Sequence, residues 1–193
     1  GLTFPTPMPP ADRRFVSRGG HKLAAALEAF RLEPGGWVCA DLGSNVGGFV
    51  DCLLQRGAAR VYAIDTGYGT LAWALRHDAR VVVMERTNAM HVRLPEAVDL
   101  VTIDVGWTPQ HRILPHAVGL LRPGGRIITL IKPHYEADRA RLRDGVLPAE
   151  HVPAVLDAVR GRLDELGLHF DALIESPIAG RKGNTEFLAL LHV

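Results

Sequence analysis

Short runs rich in β-branched residues alternate along this chain with stretches of helical periodicity, and that alternation leaves few folds open. Residues 37–42, 60–65, 80–84, 99–104 and 126–132 read as strands, whereas 48–56, 70–76, 114–121 and 150–166 read as helices. Strands joined through a helix run parallel, because the crossover carries the chain back to the same edge. Two further runs, 170–175 and 186–192, flank the turn-rich segment Gly180-Arg181-Lys182-Gly183-Asn184 and predict a closing antiparallel hairpin. The expected fold is α/β, a doubly wound, mostly parallel seven-stranded sheet of Rossmann-like type with a C-terminal antiparallel hairpin. An amphipathic helix over 20–30 precedes it, with Leu23, Leu27 and Phe30 at helical spacing until Pro34-Gly35-Gly36 stops the pattern.

With 193 residues, 47% of them apolar, the chain can bury one core. Four prolines in residues 4–10 predict an extended lead-in or linker over 1–14, leaving a folded domain over 15–193. The formal net charge of +1 excludes capture of a polyanion by overall charge, so any nucleic-acid site must be a local patch. Cys39 and Cys52 fall in apolar segments without disulfide or metal spacing, which fits a reducing cytoplasm. No apolar run approaches the roughly 18 residues of a membrane span, and no charged-then-apolar leader opens the chain, so no membrane association is expected.

The segment Asp41-Leu42-Gly43-Ser44-Asn45-Val46-Gly47-Gly48-Phe49 stands where the first strand turns into a helix. Its glycines permit a tight turn and close backbone approach, and the helix start offers free N–H groups, so a nucleotide-like ligand suits this place. A dinucleotide fingerprint beginning at Gly43 would need glycine where Asn45 stands, which disfavours NAD and FAD. Asp65 ends the second strand about twenty residues further on, where a carboxylate can accept hydrogen bonds from ribose hydroxyls. Glu85 and Asn88 follow the third strand and offer polar groups to an adenine edge.

Asp104 ends the fourth strand and Lys132 the fifth. Alternation places Lys132 on the face of Ile128 and Leu130, and Glu186 on the face of Leu188 and Leu190, so both charges stand at the margin of apolar stripes. Pro133 holds Lys132 extended at the sheet's C-terminal edge. Lys22 lies in the first turn of the first helix, where the macrodipole disfavours a cation. Each lysine alone is also compatible with an ordinary solvated side chain. The order Lys, Asp, Lys, Glu is more specific than any one member.

The combination of Phe15-Val16-Ser17-Arg18-Gly19-Gly20-His21-Lys22-Leu23, the Asp41 glycine motif, Ile103-Asp104-Val105, Ile131-Lys132-Pro133 and Gly183-Asn184-Thr185-Glu186-Phe187 resembles the FtsJ-like RNA ribose 2'-O-methyltransferases. It is most like their TlyA, or haemolysin-like, branch, and the similarity runs from Phe15 to the C-terminus. The resemblance implies a Rossmann-like methyltransferase fold with S-adenosyl-L-methionine over Asp41, Gly43, Ser44, Asn45, Gly47, Gly48 and Phe49. Asp65, Glu85, Asn88 and Asp104 would complete the cofactor site. It also implies a catalytic tetrad of Lys22, Asp104, Lys132 and Glu186 at the ribose of an RNA, with ribosomal RNA or a ribosomal subunit as the expected partner. Lys132 would activate the 2'-hydroxyl, Asp104 and Glu186 would tune it, and Lys22 would place the ribose or phosphate. Arg13, Arg14, Arg18, Arg181 and Lys182 are candidate phosphate contacts. Asn45-Val46, Gly106-Trp107 and His134-Tyr135 depart from the family's usual residues and bear on substrate choice. Alternatives are a methyltransferase for a non-RNA substrate and a non-catalytic RNA-binding module of the same fold. A membrane-lytic protein is disfavoured because no strongly basic amphipathic helix is present.

Overall fold

A computed structural model describes residues 14–193, so the expected lead-in, Arg14 apart, lies outside the described residues, as does Arg13. Strands β1 (Val38–Leu42), β2 (Arg60–Ile64), β3 (Val81–Met84), β4 (Val98–Ile103), β5 (Leu121–Ile131), β6 (His169–Glu175) and β7 (Phe187–His192) form one sheet in the order β3-β2-β1-β4-β5-β7-β6. The first five pair in parallel, and β7 runs antiparallel between β5 and β6. The strand order reverses between β1 and β4. At such a point the crossovers leave to opposite faces and a crevice opens beyond the strands' C-terminal ends.

Helices α1 (Gly19–Ala29), α2 (Gly48–Gln55), α3 (Trp73–Arg76), α4 (Gln110–Val118), α5 (Pro133–Glu136) and α6 (Val152–Glu165) surround the sheet. Alternate residues of each strand feed two cores. On one face Cys39, Leu100, Ile128 and Leu188 pack with Leu23, Leu27 and Leu53 of α1 and α2. On the other, Ala40, Val101, Ile127 and Ala189 pack with Ile113, Leu114, Val159 and Leu163 of α4 and α6. Leu23 and Leu27 are fully buried one helical turn apart, and each contributes about 1.5–3 kcal/mol to docking α1. That docking fixes where the neighbouring Lys22 emerges.

Several boundaries differ from the sequence expectation. The fifth strand begins at Leu121 rather than at 126, and its register against β4 shifts between Val98 and Leu100 where the chain passes Pro123-Gly124-Gly125. The fourth helix starts at Gln110, and Pro115 lies inside it instead of near its start. The Gln110 N–H, free at the helix start, is accepted by Glu136 Oε1 of α5 at 2.9 Å. The expected helix over 70–76 contracts to Trp73–Arg76, because the preceding segment is tied to the glycine turn by Ala72 N–H donating to the Val46 carbonyl. The last two strands pair as expected, but a loop containing a 3-10 turn, Arg181–Gly183, joins them. Among the described residues no helix is long and apolar enough to cross a membrane.

Candidate active site

Strand alternation gathers the polar groups on the α1 and α2 face. Asp41 follows Cys39 by two positions, Asp104 follows Leu100 by four, Lys132 follows Leu130 by two, and Glu186 precedes Leu188 by two. The last paired residues of β5 and β7 are Ile131 and Phe187, so the next position along brings Lys132 opposite Glu186. These groups line a single crevice of about 1150 Å³ above the switch point. That exceeds the roughly 300–1,000 Å³ usual for one small-molecule site and leaves room for part of a second ligand.

The four charged residues form two ion pairs. Lys22 Nζ donates to Glu186 Oε2 at 2.7 Å, with side chains 12% and 4% exposed. Lys132 Nζ lies 2.7 Å from Asp104 Oδ1. The sequence reading groups both carboxylates around Lys132. The structure instead gives Glu186 to a lysine 164 residues away. Gly180 makes this possible, since a Cβ there would lie 2.0 Å from Glu186 Oε1.

The cofactor end is built around Asp41. Its Oδ1 accepts from the Thr102 hydroxyl at 2.7 Å, while its buried Oδ2 has no partner among the described residues. Burial pushes this carboxyl up from 3.8 to about 7, against the Thr102 hydrogen bond, with Asp104 and Asp65 adding repulsion. A buried oxygen at the crevice floor that lacks a donor fits a ligand bearing a cation or a donor. Gly43 has φ +83°, and a Cβ there would meet the Asp104 carbonyl at 2.2 Å, so the turn closes tightly against β4.

Asp65 supports the turn directly. Its Oδ2 accepts from Asn45 N–H at 2.8 Å and its Oδ1 from Gly67 N–H at 2.7 Å. Ser44, Asn45, Gly48, Phe49 and Asn88 also line the crevice. Two expected cofactor residues do not. Gly47 caps α2 beneath Leu71 and Leu75. Glu85 is drawn off by Arg76 and accepts from Gly69 N–H at 3.0 Å; the Arg76 hydrogen bond holds its carboxyl below the usual range.

Sequence reasoning did not find Thr102, and it marked Trp107, His134 and Tyr135 as departures bearing on substrate choice without bringing them together as an aromatic wall. Thr102 was legible in principle, as a hydroxyl in an apolar run at the position that pairs with Asp41. Trp107, 77% exposed with φ +63°, packs on Tyr135 at 4.8 Å, and Tyr135 packs on His134 at 4.3 Å. Holding a bulky residue in the left-handed region costs on the order of 1–3 kcal/mol, which marks this loop as shaped for its site. His134 is buried with Nδ1 unpartnered among the described residues; burial pushes its imidazole below the ordinary range, with Glu186 opposing.

A sheet in this order, a glycine turn at the switch point and polar strand ends around one crevice define the S-adenosylmethionine-dependent methyltransferase class. The cofactor is S-adenosylmethionine, and the unpartnered Asp41 oxygen with the closely packed Gly43 turn fits it. The chain belongs to the FtsJ-like methyltransferase family, whose sequence profile matches residues 15–192. It is 43% identical to the Mycobacterium tuberculosis 16S/23S rRNA (cytidine-2'-O)-methyltransferase TlyA over 94% of this chain and 70% of that protein. A solved hemolysin-like chain from Streptococcus thermophilus superposes with a TM-score of 0.88 at 38% identity, covering 92% of this chain and 66% of that one. The fold is shared with Aeropyrum pernix fibrillarin, solved with S-adenosyl-L-methionine bound, at a TM-score of 0.63, 20% identity and coverage of 89% and 74%. The chain thus spans about two thirds of these first two relatives.

Proposed function

We propose that the chain methylates the ribose 2'-oxygen of RNA, with ribosomal RNA as its substrate. The observation that carries this reading is the pairing of Lys132 with Asp104 and of Lys22 with Glu186 on one face of one crevice, next to the cofactor turn. When bound, S-adenosylmethionine supplies an electrophilic methyl group. The acceptor must then be an oxygen that the chain orients and relieves of its proton. Lys132 Nζ, at the end of a central strand and open to the crevice, is the group we assign to activating that hydroxyl. Asp104 fixes the ammonium's direction through the 2.7 Å contact. Lys22, clamped by the buried Glu186, places the sugar or its phosphate.

On the cofactor side, Asp41, Gly43, Ser44, Asn45, Gly48 and Phe49 hold the ligand at the turn, with Asp65 bracing that turn and Asn88 at its margin. Trp107 and Tyr135 offer ring faces on which a base can stack, a contact that tolerates many sequences. The M. tuberculosis relative's name supports an rRNA substrate and a 2'-oxygen target. The test is incubation with labelled S-adenosylmethionine and separate pools of ribosomal subunits, naked rRNA, tRNA and protein. Label should enter a ribosomal pool. Label confined to protein, or to tRNA, would reject the assignment.

A further inference from the structure

The two ends of the sheet carry their cations differently. At the N-terminal ends of the parallel strands, Arg60 pairs with Glu96, Arg80 with Asp78, Arg122 with Asp99 and Arg126 with Asp171. These four guanidinium charges are neutralised there, while Arg31 and Arg160 are exposed without a salt bridge among the described residues. Beyond the C-terminal ends, on the β5 and β7 side of the crevice, Arg139, Arg141, Arg143 and Arg181 are exposed, and none forms a salt bridge among the described residues. Four unpaired guanidinium groups thus stand on the loops at this rim, with the carboxylates of Asp138 and Asp144 beside them.

This rim is built rather than merely solvated. Asn184, only 3% exposed, donates Nδ2 to the Gly145 carbonyl at 3.0 Å and to the Arg181 carbonyl at 3.1 Å, and its Oδ1 accepts from Leu147 N–H at 3.0 Å. Lys182 Nζ donates to the Asp144 carbonyl at 3.0 Å. The loop bearing Arg143 is thus locked onto the loop bearing Arg181, and Arg181 itself lines the crevice next to Gly180, against which Glu186 lies. The arginine-bearing loops therefore lead away from the crevice as one joined unit.

Resting on the RNA reading above, we propose that Arg139, Arg141 and Arg143, continuous with Arg181 and Lys182, form a phosphate-tracking surface. It holds the sugar-phosphate backbone of the RNA strand on one side of the target nucleotide. Guanidinium forks suit phosphate oxygens, such contacts set register without reading bases, and loops already tied together lose little entropy on binding.

The test compares the triple variant Arg139→Gln, Arg141→Gln, Arg143→Gln with a charge-matched triple at the opposite end, Arg31→Gln, Arg122→Gln, Arg160→Gln. Fluorescence anisotropy with a short fluorescein-labelled single-stranded RNA reads affinity across a salt series. The first triple should lower the slope of log affinity against log salt by about 2, at roughly 0.7 for each lost phosphate contact. The control should keep the wild-type slope, and S-adenosylmethionine affinity should be unchanged in both. If wild type methylates rRNA but the two triples share one slope, the surface is refuted and the RNA reading stands. A wild-type chain that neither binds the oligonucleotide nor methylates rRNA would overturn the reading and the surface with it.

Discussion

Asp41 offers a test in which stability and ligand binding move in opposite directions. Its carboxyl is pushed from 3.8 to about 7, mainly by burial, so between those values the folded chain binds a proton that the unfolded chain has released. Stability must therefore fall as pH rises through that window. At about 1.4 kcal/mol for each tenfold change in proton affinity, the full cost reaches about 4 kcal/mol above pH 7. Asp41→Asn removes the titration but sets amide protons where Oδ2 finds no partner, a cost of about 1–3 kcal/mol at every pH. The change with pH isolates the carboxylate. Relative to wild type, the variant should gain about 4 kcal/mol between about pH 4 and pH 8, crossing from less stable to more stable. Urea denaturation of cofactor-free protein at several pH values measures this. Calorimetry should show the same variant losing S-adenosylmethionine affinity, and wild type releasing a proton on binding below about pH 7. Parallel stability profiles for the two proteins would refute the burial reasoning.

Substitutions at three other residues probe the remaining parts of the site. Lys132→Ala should slow methyl transfer about 100- to 10,000-fold with fold and cofactor binding retained, and Lys132→Arg should fail too, because a guanidinium neither gives up its proton nor repeats the ammonium's geometry; near-normal single-turnover rates in either would remove Lys132 from the chemistry. Gly180→Ala forces a Cβ to within 2.0 Å of Glu186 Oε1 and should displace the clamp on Lys22, raising KM for RNA while S-adenosylmethionine affinity holds in calorimetry. Asp65→Ala frees the Asn45 and Gly67 N–H groups that bear on the turn and should weaken S-adenosylmethionine binding about tenfold or more, at about 1.5–3 kcal/mol for a charged hydrogen bond; an unchanged dissociation constant would confine Asp65 to a role without consequence for the ligand.

The fold was largely legible because fully buried parallel strands read as apolar runs that end in polar residues where the sheet meets solvent. Asp65, Asp104 and Lys132 all sit at such ends. The fourth helix, expected from residue 114, starts at Gln110, where the free N–H is taken up by Glu136 from a helix too short to leave a periodic signal. The fifth strand, expected from residue 126, begins at Leu121 and runs through Pro123-Gly124-Gly125 with a shift in register. At the site, strand parity put Lys132 and Glu186 at the crevice, but who pairs with whom did not follow from it. Glu186 belongs to Lys22 because α1 packs across β7, a tertiary fact with no local trace, and Glu85 is claimed by Arg76 for the same kind of reason.

The atom that receives the methyl group distinguishes ribose from base methylation. Ribosomal RNA methylated by the enzyme with labelled S-adenosylmethionine, digested completely to nucleosides and separated by chromatography with mass detection, shows directly which of the two occurs. Label is expected in a nucleoside whose extra methyl stays with the ribose when the base is released, and whose adjoining phosphodiester resists alkali before digestion. Label that leaves with the base, on ring or exocyclic atoms, would contradict the ribose assignment.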